Sequence, residues 1–119
     1  MNLTADGPDI GAISKSEWWQ VECKSAGVGK PQTQRNNFDR ALASVVSYYG
    51  APLPELPEEF HAVTQAQPYL GLAIPATGAY LRELRRRVRS PLRQRLNLWI
   101  LLYEPRSGEI RGVSPDDSY

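Results

Sequence analysis

Between Tyr69 and Tyr103 the chain sets two short apolar runs on either side of a segment with helical periodicity, and that alternation restricts the fold more than any other feature. Tyr69 to Ile74 reads as a buried strand stopped by Pro75, and Leu98 to Tyr103 is the most strand-like run in the chain. Between them Thr77 caps a helix that carries Tyr80, Leu81, Leu84 and Val88 on one side and arginines on the others. Ser90-Pro91 breaks that helix, with a short helical turn running on to Leu96. Arg106-Ser107-Gly108 then makes a turn, and Ile110 to Val113 returns as an edge strand.

The first half supplies the partners for these strands. Ile10 to Ile13 and Trp18 to Lys24 read as two strands of a hairpin with a polar break at Ser14-Lys15-Ser16. A two-residue turn at Lys15-Ser16, which is not a favoured pair for such a turn, would set Asp9 directly opposite Glu22. Alternation of side chains puts Trp18, Gln20, Glu22 and Lys24 on one face and Trp19, Val21 and Cys23 on the other, which assigns chemistry to the first face and packing to the second. From Gln34 to Tyr49, Phe38, Ala41, Leu42, Val45, Val46 and Tyr49 form the apolar stripe of a helix closed by Gly50. Glu58 to Gln65 reads as a short helix with Phe60 and Val63 inward. The expected architecture is α/β, with a mixed central sheet, an initial hairpin, then alternating helices and strands, and helices on the sheet's faces.

At 119 residues the chain fits one domain, with 1–7 a loose leader and 114–119 a polar tail. Cys23 is the only cysteine and His61 the only histidine, which excludes an internal disulfide and a Cys/His zinc cluster. Free thiol and no apolar run long enough to span a bilayer lead to the expectation of a cytoplasmic protein with no membrane partner. The Gly-Val-Gly-Lys at 27–30 is not a phosphate-binding loop, because Pro31 follows the lysine where a Ser or Thr must open a helix.

The chemistry concentrates at the hairpin. Two carboxylates held a few ångströms apart repel each other unless one is protonated or a cation sits between them. With oxygen ligands and no histidine in reach that cation is a hard one, magnesium, manganese or calcium. Lys24, two residues beyond Glu22, is placed to position a water and to neutralise developing phosphate charge, and the backbone carbonyl of Cys23 is a further ligand candidate.

Pro8-Asp9, a spacer of 12 residues and Glu22-Cys23-Lys24 resemble the motif of the PD-(D/E)XK nuclease superfamily, whose restriction-endonuclease-like fold carries it on adjacent strands followed by a helix and another strand. The resemblance is specific over residues 8–24 and architectural to about residue 74. It implies a Mg2+- or Mn2+-dependent endonuclease, with Asp9 and Glu22 binding metal and Lys24 assisting the attacking water. The family usually has a helix before the Asp strand, and only seven residues precede Pro8. The expectation is therefore a fragment, a minimal member, or a chain completed by a homodimer or another partner. Some branches carry a Gln and a Tyr four apart on the following helix; Ser44 and Tyr48 hold that spacing, with Gln32 and Gln34 as nearby substitutes.

A formal net charge of +1 singles out no partner, but seven of the 14 Lys and Arg lie between Arg82 and Arg95. Arg82, Arg85, Arg86 and Arg89 are candidates for contacting a nucleic-acid backbone, DNA rather than RNA, and a solvated helix face is the competing reading. Trp18 and Trp19 are expected to pack the hairpin rather than stack bases, and Cys23 to point inward and stay unreactive. A catalytic triad would rest on His61 alone and lacks a nucleophile motif. The competing function is a catalytically inactive nucleic-acid-binding or assembly module of the same fold.

Overall fold

The computed structural model describes residues 9–14, 16–25, 31–49, 57–60 and 68–119. Five strands form one mixed sheet in sequence order: β1 (Ile10–Ile13), β2 (Trp18–Cys23), β3 (Tyr69–Pro75), β4 (Leu98–Tyr103) and β5 (Ile110–Val113). The outer pairs β1–β2 and β4–β5 are antiparallel, whereas β2–β3 and β3–β4 are parallel and need crossovers. The first crossover carries α1 (Pro31–Ser47) and the second carries α2 (Gly78–Arg87) and α3 (Ser90–Leu96). The result is an α/β molecule with a five-stranded mixed sheet and three helices among the described residues.

Local signals account for the boundaries. Thr77 caps α2 by accepting from the Tyr80 N–H at 3.4 Å, and Arg85, Arg86 and Arg87 fill its last turn, where cations suit the helix dipole. Asn97 takes the left-handed conformation (φ 51°) that stops α3 and releases the chain into β4. The expected helix at 58–65 is described only as a short 3-10 turn at Glu58–Phe60; Val63 and His61 fall outside the described residues, as do Pro8, the 1–7 leader, Lys15, the 27–30 loop and Gly50.

The core lies between the sheet and the helices. Leu70, Leu72, Ile74, Leu98, Ile100, Leu102 and Val113 meet Phe38, Ala41, Val45 and Tyr48 of the α1 segment and Tyr80, Leu84 and Val88 of the α2 segment. The α1 stripe departs from its expected position at its end. Tyr48 is inside, while Val46 and Tyr49 are exposed: Val46 stands on the side of the helix away from Ala41 and Val45, and Tyr48 and Tyr49 lie past the end of α1 at Ser47, where the helical period no longer sets their direction.

Two expectations are overturned here. All three helices pack on one face of the sheet instead of on both, and among the described residues the other face is open. The assignment of chemistry and packing in β2 is also reversed: Trp18, Gln20 and Glu22 lie on the helix-covered face, and Trp19, Val21 and Cys23 on the open one. On that face Trp19 stacks on Tyr69 at 4.8 Å and meets Trp99 edge-on at 5.7 Å. Packing is thus provided by Trp18 under the helices and by Trp19 in this aromatic cluster. A Cβ added at Gly71 would lie 3.0 Å from Val21 Cγ2. Gly71→Ala is accordingly expected to cost about 1–3 kcal/mol through overpacking, read as a lower urea midpoint.

The C-terminal segment is polar in composition but docked in place. Arg93, buried in α3, donates to the carbonyls of Ser114 and Asp117, and Ser90 Oγ donates to that of Pro115. Tyr119 packs on the core and donates its hydroxyl to the Val88 carbonyl. Burial pushes the Tyr119 hydroxyl up to about 12, against a weaker pull downward from Arg93. The folded chain therefore keeps this proton after the unfolded chain has lost it. Stability is expected to fall as pH rises from about 10 through about 12, and Tyr119→Phe should flatten that fall in alkaline urea titrations.

Candidate active site

The hairpin register is the one that brings the carboxylates together. Ile10 pairs with Val21 and Ile13 with Trp18, so continuing the ladder one residue outward places Asp9 opposite Glu22. Residues directly opposite in an antiparallel pair put their side chains on the same face. Asp9 Oδ2 accepts the Cys23 N–H at 2.8 Å, supplying an acceptor where β1 has ended. In a strand the N–H and C=O of one residue leave from the same edge. The carbonyl of Cys23 therefore emerges on the side where Asp9 stands.

Glu22 is reached from the helix layer. Tyr48, just past the end of α1, donates its hydroxyl to Glu22 Oε2 at 2.5 Å. Burial pushes the Glu22 carboxyl above its ordinary value; the Tyr48 hydrogen bond pulls it part of the way back, while Asp9 raises it further by charge and hydrogen bonding. The charge of Lys24 acts in the opposite direction to Asp9. Burial and the bond to Glu22 in turn push the Tyr48 hydroxyl far above its usual range, so it stays a donor. Tyr48→Phe removes this donor and keeps the buried ring. It is expected to cost about 1.5–3 kcal/mol in chemical denaturation, the range of a hydrogen bond to a charged group.

Strand alternation stops at Cys23, and Lys24 is held by its backbone. Its N–H donates to the Ala73 carbonyl at 2.9 Å, and its own carbonyl accepts the Tyr103 hydroxyl at 2.8 Å. These bonds tie the end of β2 to the ends of β3 and β4. Cys23 does not point into the helix-covered core as expected; with Lys24 and Ser25 it borders the groove on the open face. Burial, then the charges of Asp9 and Glu22, push its thiol up, which keeps it protonated and a poor nucleophile.

Asp9, Glu22 and Lys24 thus share the end of one hairpin, with the carboxylates paired toward the helix layer. Lys24 borders the open-face groove instead of sharing the Glu22 face as expected, because the strand alternation stops at Cys23. The proposed phosphate contacts do not join them. Arg85 and Arg89 line a cleft with the docked tail, Asp116 to Tyr119, that shares no residue with the groove at the hairpin. Arg87, unlike the exposed Arg82 and Arg86, is engaged by Asp39 at 2.7 Å and Glu83 at 2.9 Å. Tyr48 and Tyr103 were not singled out as site residues in the sequence. Tyr48 carried only a spacing signal, and Tyr103 gave none, since its partner is 79 positions away.

A hard cation fits the donor set in part. Two facing carboxylates, one of them raised by burial and by its neighbour, would be relieved by a positive charge, and magnesium is commonly held by one or two carboxylates while keeping several waters. Among the described residues no group of three or more His, Cys, Asp and Glu side chains forms a metal site, so Asp9, Glu22 and the Cys23 carbonyl are the ligands on offer. No helix among the described residues is long and apolar enough to cross a membrane. No family model matches the chain, and neither a curated protein nor a solved structure gives a significant match.

Proposed function

We propose that the chain is a metal-dependent nuclease of the PD-(D/E)XK type, hydrolysing phosphodiester bonds in nucleic acid, DNA before RNA. The observation that carries the reading is the pairing of Asp9 and Glu22 across the hairpin end, with Asp9 fixed on the Cys23 amide. In this reading Asp9, Glu22 and the Cys23 carbonyl would hold Mg2+ or Mn2+. When bound, the ion supplies Lewis-acid polarisation of the phosphoryl oxygen and a more acidic water. Lys24, anchored at the strand end through Ala73 and Tyr103, orients that water and offsets negative charge developing on the phosphate. Tyr48 holds Glu22 in one orientation. Arg82, Arg85, Arg86 and Arg89 would meet the backbone of a substrate that extends beyond the hairpin, and a second chain would complete a two-strand cut.

The test is cleavage of plasmid and oligonucleotide substrates with magnesium or manganese. Loss of all cleavage in the parent protein, or full cleavage by Asp9→Asn, sinks the reading. A specific observation favours the alternative of an inactive nucleic-acid-binding module: both carboxylates are already engaged, Asp9 by the Cys23 amide and Glu22 by Tyr48. That alternative is upheld by nucleic-acid binding without cleavage under any metal.

A further inference from the structure

We infer that the open cleft bordered by the end of α2, the start of α3 and the docked tail is a binding site for a phosphate-type oxyanion, held by Arg85, Arg89 and Arg93. The cleft measures about 360 Å³, and all three guanidinium-bearing residues line it. Arg85, in the last turn of α2, and Arg89, the extended residue before α3, are exposed; Arg93, inside α3, is only 2% exposed.

Arg93 is the unusual member. Its Nη1 and Nη2 donate to the carbonyls of Ser114 and Asp117 at 2.8 and 2.7 Å, and its Cζ lies 4.5 Å from the centre of the Tyr119 ring. Every one of these partners is uncharged, and its Nε–H has no acceptor among the described residues. A buried cation is normally matched by a counter-charge, because burial strips it of hydration. Arg87 of the same arginine run shows the ordinary solution, two carboxylates in contact.

Two carboxylates do line the cleft, Asp116 and Asp117, and each has an oxygen engaged elsewhere. Asp116 Oδ1 accepts from Gln94 Nε2 at 2.8 Å, and Asp117 Oδ2 accepts the Ser114 N–H at 3.3 Å. Among the described residues neither forms an ion pair with Arg85, Arg89 or Arg93. Three guanidiniums against two carboxylates leave the lining one positive charge in excess, and the planar forks of Arg85 and Arg89, unpaired by any carboxylate among the described residues, suit the tetrahedral oxygens of a phosphate group. The inference is independent of Asp9 and Glu22, so a failure of cleavage leaves it standing.

Thermal unfolding of the full chain in sodium phosphate, against sodium chloride at equal ionic strength, tests it. A rise in melting temperature of about 5 °C is expected at about ten times the dissociation constant. The rise should shrink in Arg85→Ala/Arg89→Ala, whose sites are exposed, and persist in Arg106→Ala/Arg111→Ala, exposed arginines outside the cleft lining. Because phosphate also stabilises proteins by exclusion from their surfaces, an equal rise in Arg85→Ala/Arg89→Ala overturns the proposal, as does no rise in the parent. A competition arm separates the sources of the group. Duplex binding lost both to saturating phosphate and to Arg85→Ala/Arg89→Ala assigns the site to a nucleic-acid backbone. Duplex binding indifferent to both assigns it to a free phosphorylated small molecule.

Discussion

On the proposed nuclease reading, replacing Glu22 by glutamine is expected to lower magnesium-dependent cleavage about a thousandfold or more while leaving the metal-free protein as stable as the parent or more so. The two effects have opposite signs for one physical reason. Glu22 is pushed above its ordinary value by burial and by Asp9, so its ionised form is disfavoured in the folded chain unless a cation joins the pair. The folded state holds the Glu22 proton more tightly than the unfolded state does. Metal-free stability consequently falls as pH rises from the ordinary glutamate value through the folded one. Glutamine keeps an oxygen to accept from Tyr48 but carries no charge, so it removes both that pH dependence and the anionic ligand. Cleavage rates with magnesium, paired with urea unfolding in a chelator between pH 4 and pH 8, read both quantities. A Glu22→Gln protein that cleaves at the parent rate ends the metal-site reading. One that loses cleavage and is also strongly destabilised shows that Glu22 is a structural group.

The largest effect on stability is expected at Phe38, where alanine should cost about 3–5 kcal/mol. Phe38 is 0% exposed and joins the two helices that cover the sheet. Its ring centre lies 6.2 Å from that of Tyr80 and 4.9 Å from the Arg87 guanidinium carbon, which Asp39 and Glu83 hold in place. Truncation removes the buried ring, leaves a cavity between α1 and α2, and strands the guanidinium contact. Against a total of about 5–15 kcal/mol for a domain of this kind, such a loss is a large share. Tyr49→Ala is the internal control: the residue is 49% exposed, and a change within about 0.5 kcal/mol is expected. Urea midpoints of the two variants compare them directly, and equal losses would show that the assigned helix face is wrong.

The strands were legible because their signals are local. Ile10–Ile13, Leu98–Tyr103 and Ile110–Val113 fall where alternation and turn residues put them, and β2 and β3 differ by one residue at an end. The hairpin register was legible only as one option, since a turn centred on Lys15 and Ser16 would fix every pair along the two strands, Asp9 with Glu22 included. The stripe of α1 was legible at Phe38, Ala41, Leu42 and Val45 and misread at its edge, where Val46 and Tyr49 are exposed and Tyr48 is inside, because all three are apolar enough to be buried and only packing chooses among them.

Sequence by itself determined the order and limits of the strands and the Thr77 cap of α2, and offered, without a favoured turn pair to fix it, the hairpin register that sets two carboxylates face to face. Tertiary structure alone decided which face of the sheet the helices cover, that Tyr48 reaches Glu22, that Tyr103 holds the end of β2, and that Arg93 is buried beneath the tail. The division follows from range. Periodicity and turn chemistry act over a few neighbouring residues, whereas these contacts join positions 26, 79 and 21 or 24 residues apart, which are brought together only when the whole sheet has assembled.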